Sequence, residues 1–278
     1  MYRDVLPYLC CPTCRLTLSP QPIQAADGEI VGGDLVCAVC DTTYPVRDGI
    51  ADFLGPPHPP TPAQMTNEWP LTAWVYERGW RPFALTLLSG ERFPYQRELP
   101  LMLGLAEPRR GGLYLDVACS NGLYARALAR SIGSRPGHVA AFDHSLPMLK
   151  QARAYARAAG LRISFLRAKV QALPVAAHTA AGVVIGGSLN EIGDLDACLA
   201  EVRRTLSDDG RYVAMTLARA ATAGGRMFQQ LMGVGGVVFW TPAELERCFR
   251  QHGLRPVARW KYGLVMFHLA LPVHSSSQ

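Results

Sequence analysis

No apolar run in this chain approaches the ~20 residues a helix needs to cross a bilayer, so no spanning segment is expected. The first residues, Met-Tyr-Arg-Asp-Val-Leu-Pro-Tyr-Leu-Cys-Cys, lack the basic start, apolar stretch and small-residue cleavage site of a secretory signal. Both absences predict a soluble, cytoplasmic protein, with an organelle left open. Charge is sparse at 18% of residues, against 49% hydrophobic, which excludes a disordered polyelectrolyte and predicts a full core. A G-x-G-x-x-G fingerprint is also missing, which argues against an ordinary dinucleotide site.

The chain has 278 residues, enough for one large domain or a large and a small one. Its net charge of +6 favours acidic partners, nucleic acid among them, although the arginines are scattered and form no dense block. Five of the eight cysteines lie within the first 40 residues. Cys11-Pro-Thr-Cys14 and Cys37-Ala-Val-Cys40 form two C-x2-C turns with 22 residues between them. Each such turn points two thiolates at one ion, and two turns complete a closed tetrahedral site. Structural Zn2+ on Cys11, Cys14, Cys37 and Cys40 is therefore expected, with Cys10 as a spare thiol or an alternative ligand. Metal binding would supply much of the folding free energy of so small a segment.

After the second turn, Tyr44-Pro-Val-Arg-Asp-Gly-Ile50 resembles the tail that follows the second cysteine pair in the zinc ribbon of small methyltransferase-activator proteins. The expected division is a zinc ribbon over 1–54 and a Pro-rich linker over 55–65, containing GPPHPPTP. An aromatic helical segment follows over 66–94, with Trp69, Trp74, Tyr76, Trp80 and Phe83. It reads either as a helical connector packed on the core or as a lid turning Tyr76, Arg78 and Arg81 toward a ligand. A main domain over 95–272 and a disordered tail over 273–278 complete the chain.

The main domain alternates strands (GLYLDVA, HVAAFD, ISFLRA, AAGVVIGGSL, RYVAMTLA) with helical stretches, then ends in two strands able to pair as a hairpin. Thr241 and Pro242 stand as cap and first residue of the last helix. This pattern predicts an α/β fold: a Rossmann-like seven-stranded, mostly parallel sheet with helices on both faces, plus the small ribbon. Ligands bind such sheets at the carboxyl ends of the strands. The first strand ends in Asp116-Val-Ala-Cys-Ser-Asn-Gly122, and the second ends at Asp143, 27 residues after Asp116. A carboxylate at the second place can accept from ribose hydroxyls. An acidic Asp116 suits a cofactor carrying an ammonium and a sulfonium better than it suits a pyrophosphate.

At this point LYLDVACSNG, AAFDHSLPMLKQAR, SFLRAKVQALPV and EVRRTLSDDGRYV, in that order, resemble the blocks of class I S-adenosylmethionine-dependent methyltransferases of the quinone-methyltransferase group. The ribbon-first layout is similar to uncharacterised plastid-type methyltransferases and to rRNA guanine-N1 methyltransferases. The resemblance implies Asp116, Ala118, Ser120 and Gly122 at the methionine end of S-adenosylmethionine, and Asp143 with His144 at the ribose. Lys169 and Val170 fall at the adenine, and Ser188 and Asn190 near the methionine moiety or the acceptor. Acceptor-side candidates are Asn190, Glu191, Tyr76 and Arg81; the first two read equally well as capping a turn. The Asn-Pro-Pro-Tyr run of amino-group methylation is absent, GGSLNEIGD standing in its place. Two residues depart from the family pattern: Ser120 replaces a glycine and Lys169 an aspartate. The expected function is methyl transfer to a small-molecule or lipid-like acceptor. The alternatives are an rRNA or tRNA base methyltransferase and a repurposed member with weak or lost cofactor binding. The ribbon carries Asp27, Glu29, Asp34, Asp41, Asp48 and Asp52 against Arg15 and Arg47, which points to a structural or protein-contact role over gripping phosphate.

Overall fold

The computed structural model describes residues 1–54, 81–234 and 236–273. The expected linker, the front of the aromatic segment with Tyr76, and all but the first residue of the tail lie outside the described residues.

Four antiparallel strands build the ribbon: β1 (Ser19–Ala26), β2 (Glu29–Cys37), β3 (Thr42–Arg47) and β4 (Ile50–Asp52). The turn from β3 to β4 is Asp48-Gly49, with φ of 51° and 74°. Two successive left-handed residues give the primed turn that matches strand twist, and Asp-Gly is the pair that adopts it most readily. Beyond the undescribed segment come α1 (Arg81–Ser89) and α2 (Tyr95–Ala106). The alternating part then runs β5 (Gly112–Val117), α3 (Leu123–Ile132), β6 (Gly137–Asp143), α4 (Leu146–Ala158), β7 (Ser164–Arg167), β8 (Ala180–Gly186), α5 (Leu195–Thr205) and β9 (Leu206–Leu217). It closes with α6 (Ala223–Gly233), α7 (Pro242–Gln251), and the hairpin β10 (Leu254–Tyr262) and β11 (Val265–Pro272).

The strand order is β1-β2-β3-β4-β7-β6-β5-β8-β9-β11-β10. The expected seven strands are β5 to β11, but the sheet has eleven. The ribbon is not a separate sheet: β4 adds in parallel to β7, pairing Ile50 with Phe165, Ala51 with Leu166 and Asp52 with Arg167. A second seam pairs the chain start with the stretch before β8, through Cys10 N to Pro174 O (3.1 Å) and Ala176 N to Tyr8 O (2.8 Å). The ribbon's acidic residues meet cations of the main domain here. Glu29 holds Arg153 at 2.8 Å, Asp52 holds Arg167 at 3.0 Å, and Asp48 and Asp4 reach Lys150 and Arg162.

Helices cover both faces. Leu85, Met102, Tyr124, Leu128 and Leu149 pack on one face; Cys198, Leu199, Val202, Leu245 and Phe249 pack on the other, in a core continuous with the ribbon's Leu9, Leu35 and Val46. Thr241 caps α7 and Pro242 opens it, as the sequence predicts, and Glu244 completes a reciprocal capping box. β9 begins earlier than the expected strand RYVAMTLA, at Leu206, and runs through Asp208-Asp209-Gly210. Its pairing with β8 shifts register between Ala180 and Gly182, which absorbs the extra residues. α6 was not foreseen in the sequence. Its apolar Met227, Phe228 and Leu231 face outward, and the buried Gln229 ties it to Ala218 O and Ala220 N. No described helix is long and apolar enough to cross a membrane.

His268, on β11 and 1% exposed, has both ring nitrogens without a hydrogen-bond partner and packs edge-on to Phe249 at 5.7 Å. Burial, then the charge of Arg259, lowers it from 6.5 to about 4. The folded state thus holds a neutral ring that the unfolded chain would protonate below pH 6.5. This contribution is intact above pH 6.5 and is lost as pH falls toward 4. Chemical denaturation at pH 7 and pH 5 should show the unaltered protein losing ~2 kcal/mol more over this interval than His268→Met does.

Candidate cofactor and metal sites

β5 and β6 lie side by side, with β8 on the other flank of β5, so the sheet's order reverses at β5. A crevice opens at such a reversal, above the carboxyl ends of the strands. Into it run the loop from Ala118 to Gly122 and the turn after Asp143. Ala118, Ser120 and Gly122 have φ of 55°, 50° and 75°. All three positions are left-handed, the conformation that glycine adopts freely and an L side chain resists by about 1 kcal/mol or more. The loop thus keeps a glycine-loop backbone with a glycine at only one of these places.

What holds it there is hydrogen bonding from both sides. Asp143 Oδ2 accepts from Ser120 N at 2.8 Å and Oδ1 from Ser145 N at 2.9 Å. Cys119 N donates to Phe142 O at 2.9 Å, and Ser188 Oγ to Ala118 O at 3.3 Å. Ser120 turns its hydroxyl to Met148 Sδ, 3.5 Å away. Asp116 is 1% exposed and accepts from Ala125 N at 2.7 Å, at the start of α3. Burial, with the charge of Asp143 adding to it, raises its carboxyl to about 7. Cys119 is buried, and burial beside Asp116 and Asp143 raises its thiol well above the usual value, which suits a filler and not a nucleophile.

The structure brings together most of the residues picked out from sequence. His144 sets Nδ1 3.4 Å from Asp143 Oδ1, while its Nε2 and the Nδ2 of Asn121 are buried without a partner. Two orphaned polar atoms beside a carboxylate and a tight loop fit a polar ligand, because buried polar groups are otherwise paired. Lys169 is exposed, so its side chain leaves no unpaired ammonium in the interior, and Val170 packs on the core. Asn190 has its amide engaged by backbone: Nδ2 donates to Leu217 O (2.9 Å) and Val238 O (2.6 Å), and Oδ1 accepts from Leu217 N (2.8 Å). It ties the end of β9 to the approach to α7. Glu191 is accessible but set among protein atoms, and desolvation, then the charge of Asp143, raises its carboxyl.

Arg81, expected to face a ligand, is buried. It forks onto Glu98 at 2.6 Å through both nitrogens and lies 3.3 Å from the Tyr124 hydroxyl, which itself donates to Glu98. A Cβ on Gly186 would lie 1.9 Å from the Tyr124 ring, so the glycine lets this ring close on the end of β8. Glu98 and Tyr124 were missed in the sequence because neither belongs to a motif.

In the ribbon, the sulfurs of Cys11, Cys14, Cys37 and Cys40 all lie within 4.8 Å of one another. Tetrahedral zinc, with Zn–S near 2.3 Å, spaces its sulfurs about 3.8 Å apart, so the four thiols fit that ion. Cys10, buried, stands outside the group.

Comparison with known proteins agrees with this architecture. Residues 115–210 match the family described as a methyltransferase domain, and residues 3–49 match the Trm112p-like proteins. An uncharacterised chloroplastic methyltransferase of Arabidopsis thaliana is 28% identical over 223 residues, 75% of this chain and 61% of the relative. A 2-phytyl-1,4-naphtoquinone methyltransferase of Thermosynechococcus vestitus is 31% identical over 121 residues, 44% of this chain and 53% of that protein. The chain thus spans about three fifths of its plant relative's length. Among solved structures, a complex of the Haloferax volcanii Trm112 methyltransferase activator and a methyltransferase matches in fold, with TM-score 0.53 and 17% identity over 73% of this chain and 98% of that one. With both modules matched in sequence order and the sheet arranged as described, residues 115–210 carry a methyltransferase domain behind a Trm112p-like segment over residues 3–49, and the chain is similar to class I S-adenosylmethionine-dependent methyltransferases with an N-terminal zinc ribbon.

Proposed function

We propose that the protein transfers the methyl group of S-adenosylmethionine to a small-molecule or lipid-like acceptor. The observation that carries this reading is the loop at 118–122. Its left-handed backbone persists at Ala118 and Ser120, where the side chains oppose it, and such strain survives only where the surroundings hold it for a use. The cofactor, when bound, supplies an electrophilic methyl on a sulfonium. The chain's part is to bind, orient and exclude water. Asp143 accepts from the ribose hydroxyls, with His144 beside it. Asp116, Ala118, Ser120, Gly122 and Ser188 surround the methionine end, and Val170 with the backbone at Lys169 lines the adenine. Glu191, exposed in the turn after β8 and with its carboxyl raised by desolvation and then by Asp143, is the candidate to take a proton from an acceptor hydroxyl. Asn190 and Arg81 support this wall through their bonds to Leu217 and Glu98. Tyr76 stays an acceptor-side candidate outside the described residues. The quinone methyltransferase among the relatives supports an apolar acceptor.

Calorimetric titration with S-adenosylhomocysteine should show binding, and labelled methyl groups from the cofactor should enter the organic-soluble fraction of a metabolite extract. Label confined to RNA would move the acceptor to nucleic acid; no heat at millimolar ligand would sink the methyltransferase reading. Ser120→Gly, which removes a side chain from a left-handed position, should raise the melting temperature by an amount matching roughly 0.5–1 kcal/mol, without loss of cofactor affinity. The pH dependence follows from Asp116. A cationic cofactor favours its carboxylate over its acid, so affinity should rise with pH through about 7. The dissociation constant for S-adenosylmethionine should be about tenfold weaker at pH 6 than at pH 8, and flat in Asp116→Asn.

A further inference from the structure

The ribbon reaches the ribose end of the cofactor site through two side chains that no motif singles out. Asp52, the last residue of β4, pairs across the parallel seam with Arg167, the last residue of β7. Its Oδ2 lies 3.0 Å from Arg167 Nη1, with the two side chains 24% and 13% exposed. The same guanidinium donates from Nε to the carbonyl of His144 at 2.9 Å. His144 follows Asp143, whose own carbonyl accepts from Ala168 N at 3.1 Å and whose carboxylate holds Ser145 N and Ser120 N. The Phe53 N to Arg167 O bond, 2.8 Å, fixes the backbone of the pair from the ribbon side. Hydrogen bonds and the one peptide link between Asp143 and His144 thus connect a ribbon carboxylate to the cofactor loop.

We propose that Asp52 and Arg167 are positioning residues through which the fused ribbon sets the turn carrying the ribose-binding carboxylate. Guanidinium donors sit in a rigid planar fork, so fixing Nη1 on Asp52 also fixes where Nε meets the His144 carbonyl. That carbonyl belongs to the residue joining Asp143 to Ser145, so its placement sets the angle at which the Asp143 carboxylate meets a ribose. The ribbon then does more than cover an edge: its folded state, held by the four cysteines, becomes a condition for cofactor affinity. The proposal rests on the reading of Asp143 as the ribose carboxylate.

The test is calorimetry on the full, zinc-loaded chain, with S-adenosylhomocysteine and with an analogue lacking both ribose hydroxyls. Asp52→Asn and Arg167→Lys should each weaken S-adenosylhomocysteine about tenfold, and the double variant should be no worse than either single one. Affinity for the analogue should change little, a difference that general destabilisation would not produce, and Asp52→Glu should recover part of the loss. Zinc content and melting temperature are measured alongside. If Asp52→Asn loses zinc, Arg167→Lys, on the far side of the seam, carries the same comparison. Unchanged affinity in both variants, additive losses, or equal losses for the two ligands would overturn the proposal while leaving the cofactor reading intact. Failure of the unaltered protein to bind S-adenosylhomocysteine would overturn both.

Discussion

Everything in this molecule hangs on the parallel seam between β4 and β7. A three-residue strand is too short to stand alone, yet here it converts two modules into one eleven-stranded sheet. The seam closes the edge of β7, which would otherwise present unpaired backbone groups as a template for aggregation. Among the described residues, the edges that remain are β1, interrupted by Pro20 and Pro22, and β10, carrying Pro256, Arg255, Arg259 and Lys261. Proline and positive charge are the residues that discourage further pairing at an edge. Charge orients the seam as well. The excess of acid in the ribbon is met by Arg153, Arg162, Arg167 and Lys150 of the main domain, and Arg15 of the ribbon meets Glu201 at 3.0 Å in the opposite sense. The most buried of these, Glu29 with Arg153, meets as a bidentate pair, whose two charge-assisted hydrogen bonds offset the cost of taking both groups out of water. The exposed pairs add little stability and serve mainly to fix register.

Much of this was legible in the sequence, for reasons that differ from element to element. Two C-x2-C turns carry their chemistry in their spacing, and the four sulfurs converge. β5 and β6 were legible as nearly continuous apolar runs closed by an acid, because strands covered on both faces leave no room for alternation. The cap at Thr241 is local by nature. What stayed hidden is long-range. Nothing around Ile50 announces a parallel partner more than a hundred residues away, since β4 carries the same apolar pattern whether it pairs with β3 alone or with β7 too. The acid of the ribbon points to a structural or protein-contact role, and only the fold reveals that Asp4, Glu29, Asp48 and Asp52 meet cations of the same chain. α6 escaped because it is short and bracketed by Gly224, Gly225 and Gly233, residues that read as a loop. Asn190 reads in the sequence equally as an acceptor-side group or a turn cap, and only the fold reveals three backbone bonds on its amide.

The two departures from the family pattern resolve differently. Lys169 would be a liability only if its ammonium were buried, and it is exposed. Ser120 cannot leave the loop, so its side chain has to be accommodated. Its hydroxyl turns toward Met148, on α4, while its amide is taken by Asp143. A glycine there would reach the same backbone conformation without opposition. With serine, the conformation depends on its partners, above all on the carboxylate of Asp143. That carboxylate is placed by the turn through His144, and the turn by Arg167 and the ribbon strand beside it. A loop with alanine and serine at two left-handed positions therefore needs outside support more than a glycine loop would. In this chain the support is covalently attached, one strand away on the same sheet.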